Sequence, residues 1–167
     1  MATDHVIDAF LKLEGIKGES KDSDHSDEIE VLSYRHGVSQ GPGSDPSVAG
    51  SLTAGRCEHE DLTVTKRIDI SSPQLNLYCC NGKHIPEMVL TLHRAGGEKV
   101  KYAEIRCTDV LITSVNPWAD GRAGELPSEE VTFRYGKIEW TYYKTTLSGQ
   151  VAGEMKAGWD LAGNQAV

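Results

Sequence analysis

No uninterrupted apolar run in this 167-residue chain exceeds four residues, Leu77 to Cys80. A membrane-spanning helix needs about 20 mostly apolar residues, so none is expected. Basic charge is also short: 17 Lys plus Arg face 25 Asp plus Glu, a net of −8. A phosphate backbone or an anionic bilayer is repelled by that balance, and no Lys/Arg cluster with interleaved aromatics reverses it locally. Neither nucleic-acid binding nor membrane insertion is expected. The opening Met-Ala-Thr-Asp-His-Val-Ile-Asp lacks the basic and long apolar stretches of a secretory signal, which predicts cytoplasmic synthesis. Cysteine is sparse, with Cys57, Cys79, Cys80 and Cys107 only and no C-x2-C spacing. We expect four thiols, with no zinc site, other metal or cofactor. A single domain of this length buries about 70% of its unfolded surface and needs no such staple.

The acidity is uneven. Residues 1–31 hold three basic and nine acidic side chains, a net of −6, which leaves −2 for the other 136. Gly18 to Asp27 is polar throughout and reads as a solvent-facing loop.

What the chain does have is strand periodicity. Ile7, Ala9, Leu11 and Leu13 alternate with Asp8, Phe10 and Lys12, Gly15 to Gly18 ends that run, and Glu28 to Tyr34 reads as a second strand. Gly37 to Gly55 has no periodicity and is long for a loop, which marks it as functional or mobile. A third strand is expected over Glu58–Arg67. Ser72 as N-cap, Pro73 at the first helical position and Gly82 as stop predict one short helix, about residues 72–81. Met88, Leu90 and Leu92 alternate before Gly96-Gly97, a hairpin turn into Lys99–Cys107, and a further strand is expected at Asp109–Val115. Val131, Phe133 and Tyr135 share one parity and Ile138, Trp140 and Tyr142 the other, so the register flips at a bulge or corner near Gly136. The fold class is mainly β: a two-sheet barrel or sandwich with one flanking helix.

Motifs for chemistry are weak. Gly37-Val38-Ser39-Gln40-Gly41 fits the G-x-S-x-G pattern of a serine hydrolase, but Pro42, Gly43 and Pro46 follow where that elbow requires a helix. Asp22, Asp24 and Ser26 open like a calcium loop without its Gly at position six or Glu at position twelve. His59-Glu60-Asp61-Leu62-Thr63 lacks the second histidine of a zinc protease, and Gly50 to Gly55 continues Arg56-Cys57 where a phosphate loop needs Lys-Ser/Thr. No catalytic residue is assigned, and the chain is not expected to be an enzyme.

Several segments, taken in order, carry a resemblance. Gly15-Ile16-Lys17-Gly18-Glu19-Ser20, His25, Glu28 to Ser33 and Gly37 to Gln40 are similar to the opening of the haemolysin-coregulated protein (Hcp) family, the tube protein of bacterial type VI secretion. Asp61 to Lys66, Ser71-Ser72-Pro73-Gln74-Leu75, Cys80 to His84, Ala95-Gly96-Gly97, Asp109 to Val115, Tyr135 to Ile138 and Gly158-Trp159-Asp160 continue the likeness. The resemblance implies a hexameric ring that stacks into a tube inside a contractile sheath. It implies export without a signal peptide, a spike protein as partner, and effector proteins carried in the lumen. It covers residues 1–167 as one tube domain with no C-terminal toxin extension.

By the same resemblance, Ser33, Arg35 and His36 are expected at the lumen, and the loop containing Gly41, Gly43, Ser44, Asp45 and Ser47 at the contact between rings. Arg35 stands where the family often has a small residue, which suggests preference for acidic effector surfaces. Six copies carry six times −8, or −48, so stacking must rely on local complementarity and salt screening. Two other readings stay open: a monomeric lectin-like β-sandwich using Trp118, Trp140 or Trp159 as a stacking platform, and a hydrolase using Ser39.

Overall fold

A computed structural model describes residues 7–41, 54–96, 99–122, 124 and 126–167. In chain order the elements are β1 (Ile7–Leu13), β2 (Ile29–Val31), β3 (Ser33–Arg35), β4 (Val38–Gln40), β5 (Cys57–His59), β6 (Leu62–Arg67), α1 (Ser72–Asn81), β7 (Ile85–Arg94), β8 (Val100–Trp118), β9 (Ser128–Thr145), β10 (Val151–Asp160) and β11 (Gln165–Ala166). The protein is mostly β with one short helix. Its main sheet runs β11-β10-β9-β8-β7-β1-β2, while β6 pairs with both β9 and β3, and β4–β5 form a separate hairpin. Every pair in the main sheet is antiparallel.

The first strand forms as its alternation requires: Ala9, Leu11 and Leu13 are buried against Leu92, Leu90 and Met88, their partners in β7. The second strand splits at Leu32. Ile29–Val31 pairs with β1 and Ser33–Arg35 with β6, so one bent stretch passes from one layer to the other, and Leu32 N–H donates to Thr65 O at 2.8 Å. The ladder therefore does not close into a full ring, and the architecture is a sandwich. The third expected strand likewise divides into β5 and β6, and β4 lies inside the segment read as loop. Gly41 ends that strand; Gly43, Ser44, Asp45 and Ser47 lie outside the described residues, as does Gly97 of the expected hairpin turn.

Two strands expected after Gly97 are one, β8, and β9 runs unbroken through Gly136. The parity flip is real and shared by both. Cys107 and Ile138 are buried opposite each other, as are Val110 and Tyr135, with two outward pairs between them. Asp109 makes the turnover at φ 54, a left-handed conformation, directly beside Gly136. The kink sits on the aspartate strand, and the glycine leaves room: a Cβ there would lie 3.3 Å from the Asp109 Cβ. Strands β10 and β11 had no clear signal in the sequence, because Val151–Ala157 is exposed on both faces and shows no alternation of burial.

Helix α1 spans the expected residues, but its N-cap is Ser71. Ser72 is already helical, and its hydroxyl reaches back to accept the Asp69 N–H at 3.0 Å. Gly82 stops the helix at φ 65, as a C-terminal glycine should. Leu75 and Tyr78 anchor the helix in a single hydrophobic core shared by β1, β2 and β6–β9.

The Gly18–Asp27 segment is a correction of a larger kind. It is not a free solvent loop: Ser20 and His25 are buried. Backbone bonds from Gly18 N to Asp27 O and from Ser20 N to Glu28 O fold it into a hairpin, which lies over the outward face of β1 and β7. Polarity failed as a guide because the polar groups are satisfied locally.

Candidate functional site

Alternate residues of β6 point away from the core. Leu62 and Val64 are fully buried, so Asp61, Thr63 and Thr65 form the opposite row. Register then fixes their neighbours, since Ser33 opposes Thr65 and Arg35 opposes Thr63. On the other side Thr63 opposes Thr132 and Thr65 opposes Glu130, while Ser114 and Asn116 of β8 oppose Thr132 and Glu130. Four strands thus share one continuous face made of short hydroxyl side chains, an amide and a few charges, with Thr63 itself buried among its neighbours.

The charges on this face are matched. Arg134 holds Asp61 with two bonds, Nε to Oδ1 at 3.1 Å and Nη2 to Oδ2 at 3.2 Å, and Thr113 Oγ1 donates to the same carboxylate at 3.1 Å. Arg35 Nη2 lies 3.7 Å from Glu130 Oε1, with both groups partly solvated. Its guanidinium is shared with a neighbouring carboxylate and is only partly available to a partner. Thr63 and Thr132 bond through their hydroxyls at 3.2 Å. The result is a hydrophilic face whose arginines each lie beside a carboxylate.

Of the three residues expected at a lumen, Ser33 and Arg35 stand exposed on this face, and His36 turns away. Its half-buried ring puts Nε2 2.6 Å from Tyr135 Oη. His59 Nδ1 approaches the same oxygen at 3.2 Å, and the Trp140 ring lies 6.1 Å from His36 and 6.5 Å from His59. Burial, then the nearby His59, lowers the His36 pKa against the opposing pull of Glu60; burial lowers that of His59. Burial also pushes the Tyr135 phenol well up. These groups hold the base of the β4–β5 hairpin to the sheet.

Ser39 occupies β4, paired across from Glu58, and not a strand-to-helix turn. The geometry of a nucleophile elbow is absent there. The cysteines are free thiols, and burial pushes Cys107 up to about 12. Among the described residues, no group of three or more His, Cys, Asp or Glu side chains is placed to hold a metal ion. Among the described residues, no helix is long and apolar enough to cross a membrane.

The family model described as "Type VI secretion system effector, Hcp" matches residues 10–142. The chain belongs to the Hcp family. Protein hcp1 of Pseudomonas aeruginosa is 37% identical over 161 residues, covering 95% of this chain and 98% of the relative. The major exported protein of the same organism is 27% identical over 151 residues, 86% of each chain. A solved structure of a type six secretion system protein superimposes with a TM-score of 0.91 at 26% identity, covering 96% of this chain and 99% of that one.

Within this Hcp fold, the sequence reading missed Thr63, Thr65, Glu130 and Thr132. The Leu-Thr-Val-Thr alternation of β6 carried the signal for two of them. Nothing local could have paired them with β9.

Proposed function

We propose that this Hcp protein works as a homohexameric ring that stacks into the inner tube of a type VI secretion system. The tube runs inside a contractile sheath, behind a spike protein, and is exported without a signal peptide. Effector proteins ride in the lumen against the polar face bearing Ser33 and Arg35, and the Gly37–Gly55 segment meets the next ring. Residues 1–167 act as one tube module, and no bond-breaking step is assigned to it.

The observation that carries this reading is the exposed apolar group on the end of the β9–β10 hairpin, which runs on past the last β8–β9 pair, Ala103 with Tyr142. Tyr142 and Met155 face each other across the ladder and remain 52% and 73% exposed, with Val151 and Leu147 also open nearby. Together with the open edge beyond β11, this apolar arm is a surface a lone chain leaves unprotected. A closed ring of identical copies covers it in every subunit at once.

Light scattering after size exclusion tests the assembly. The expected mass is six times 18.2 kDa, about 109 kDa. Met155→Glu, placed where the native fold does not bury it, should drop the mass toward the single chain while preserving the β circular-dichroism signal. Wild-type protein that stays a single chain at high concentration would overturn the proposal.

A further inference from the structure

Outside the polar face, the most unusual chemistry is a pair of histidines in direct contact beneath the 18–28 hairpin. His25 Nε2 lies 2.7 Å from His93 Nε2, and both residues are buried. His25 also reaches Glu28 Oε2 with Nδ1 at 2.7 Å, and its ring stacks on Phe10 of β1 at 4.4 Å between centroids. His93 Nδ1 is buried with no hydrogen-bond partner among the described residues.

These contacts define the proton positions. A carboxylate only accepts, so His25 carries its hydrogen on Nδ1 and offers a bare Nε2. His93 must then donate from Nε2, which leaves its Nδ1 as a bare lone pair. Any further proton on the two rings creates a conflict. If His93 gains it, the new N–H is at Nδ1, facing no acceptor. If His25 gains it at Nε2, His93 must switch tautomer to accept, which again puts a hydrogen on Nδ1. A second proton sets two N–H groups against each other at 2.7 Å. Every protonated form is penalised as long as the hairpin stays docked.

The surrounding charges do not remove the conflict. Glu28 and Asp22 lie on the hairpin itself, and Asp22 is paired with Lys99. Asp8 of β1 and Lys101 of β8 flank His93 in register, and Lys101 is paired with Glu104. Burial first, then His25, lowers the His93 pKa, with Lys101 and Lys99 acting in the same sense and Asp22 against.

We propose that the His25–His93 couple is a proton-operated latch that docks the 18–28 hairpin at neutral pH and releases it on mild acidification. Release is local because the hairpin is closed at its base by its own backbone bonds, Gly18 N to Asp27 O and Ser20 N to Glu28 O, where Gly18 leaves no room for a Cβ beside Glu28 O. Release would bare the Phe10 ring. It would also free one wall of an open cleft of about 670 Å³ between Glu19–Asp22 and the Ile7, Leu32 and Ile68 side chains. The latch does not depend on hexamer formation.

Hydrogen exchange of the full-length protein across pH 7.5 to 5, corrected for intrinsic rates, tests it. Opening of residues 18–28 should rise about tenfold for each pH unit below the latch midpoint, as expected for a one-proton event, while amides of 105–112 stay protected. His93→Gln retains a donor for His25 but cannot titrate, and should flatten that pH response. Should that variant not fold, nitrogen NMR of the wild-type imidazoles at pH 7.5 must show hydrogen on His25 Nδ1 and on His93 Nε2. A pH-independent hairpin, the opposite tautomers, or loss of protection equally in 105–112 would overturn the latch.

Discussion

Tyr135 has one hydroxyl proton and three polar neighbours, so its bonding pattern can be assigned. The shortest contact, 2.6 Å, is donation to His36 Nε2, and His59 Nδ1–H donates back at 3.2 Å, with Glu60 O at 3.3 Å on the margin. Both imidazoles are then neutral, in agreement with their lowered pKa values. A histidine whose folded pKa is depressed binds its proton more readily when unfolded. Its stabilising contribution is complete above the ordinary value of 6.5 and is lost as pH falls through the folded value. Urea unfolding should therefore show falling stability below pH 6.5. Tyr135→Phe should cost about 1–2 kcal/mol at pH 7.5 and flatten part of that slope. The inward turn of His36 was not legible, because its partner lies 99 positions away; Ser33 and Arg35, which the family resemblance puts at a lumen, are exposed on β3.

The helix shows how an element is secured from both ends of the chain's logic. Pro73 and Gly82 set its limits locally, but what ties it to the sheet is Lys66, fully buried, with Nζ 2.5 Å from Glu129 Oε1 and 2.9 Å from Asp69 Oδ1. Ser72 Oγ donates to the same Glu129 oxygen at 2.6 Å. Removing the cation leaves two carboxylates facing each other in a dry site. Lys66→Met should cost about 3–5 kcal/mol, read from the denaturation midpoint, and Lys66→Met combined with Glu129→Leu should recover a good part of it. Nothing in the sequence announces this pair, since 63 residues separate its members and Lys66 sits in a Thr/Lys/Arg stretch that looks solvated.

For the assembled protein the governing quantity is charge. The proposed hexamer would carry six times −8, so its rings would repel at long range and attract only through contacts at the stacking faces. The Debye length falls from about 10 Å at 0.1 M salt to about 3 Å at 1 M. Tube length measured by light scattering should therefore grow with ionic strength, while ring mass stays constant. Tubes that dissolve as salt is added would show that stacking rests on complementary ion pairs instead.

The amino-acid order settled what depends on neighbours in the chain: which residues alternate, where Pro73 and Gly82 bound a helix, that the parity of the apolar residues flips near Gly136, and, through its ordered motifs, the family. Folding in three dimensions decided which row of β6 meets Ser33 and Arg35, that Asp109 and not Gly136 takes the left-handed turn, that a polar stretch covers β1, and that His25 meets His93. Periodicity is a property of a few consecutive residues and survives in any context. Pairing between distant segments is chosen by the whole core closing at once, so it leaves no trace in either partner alone.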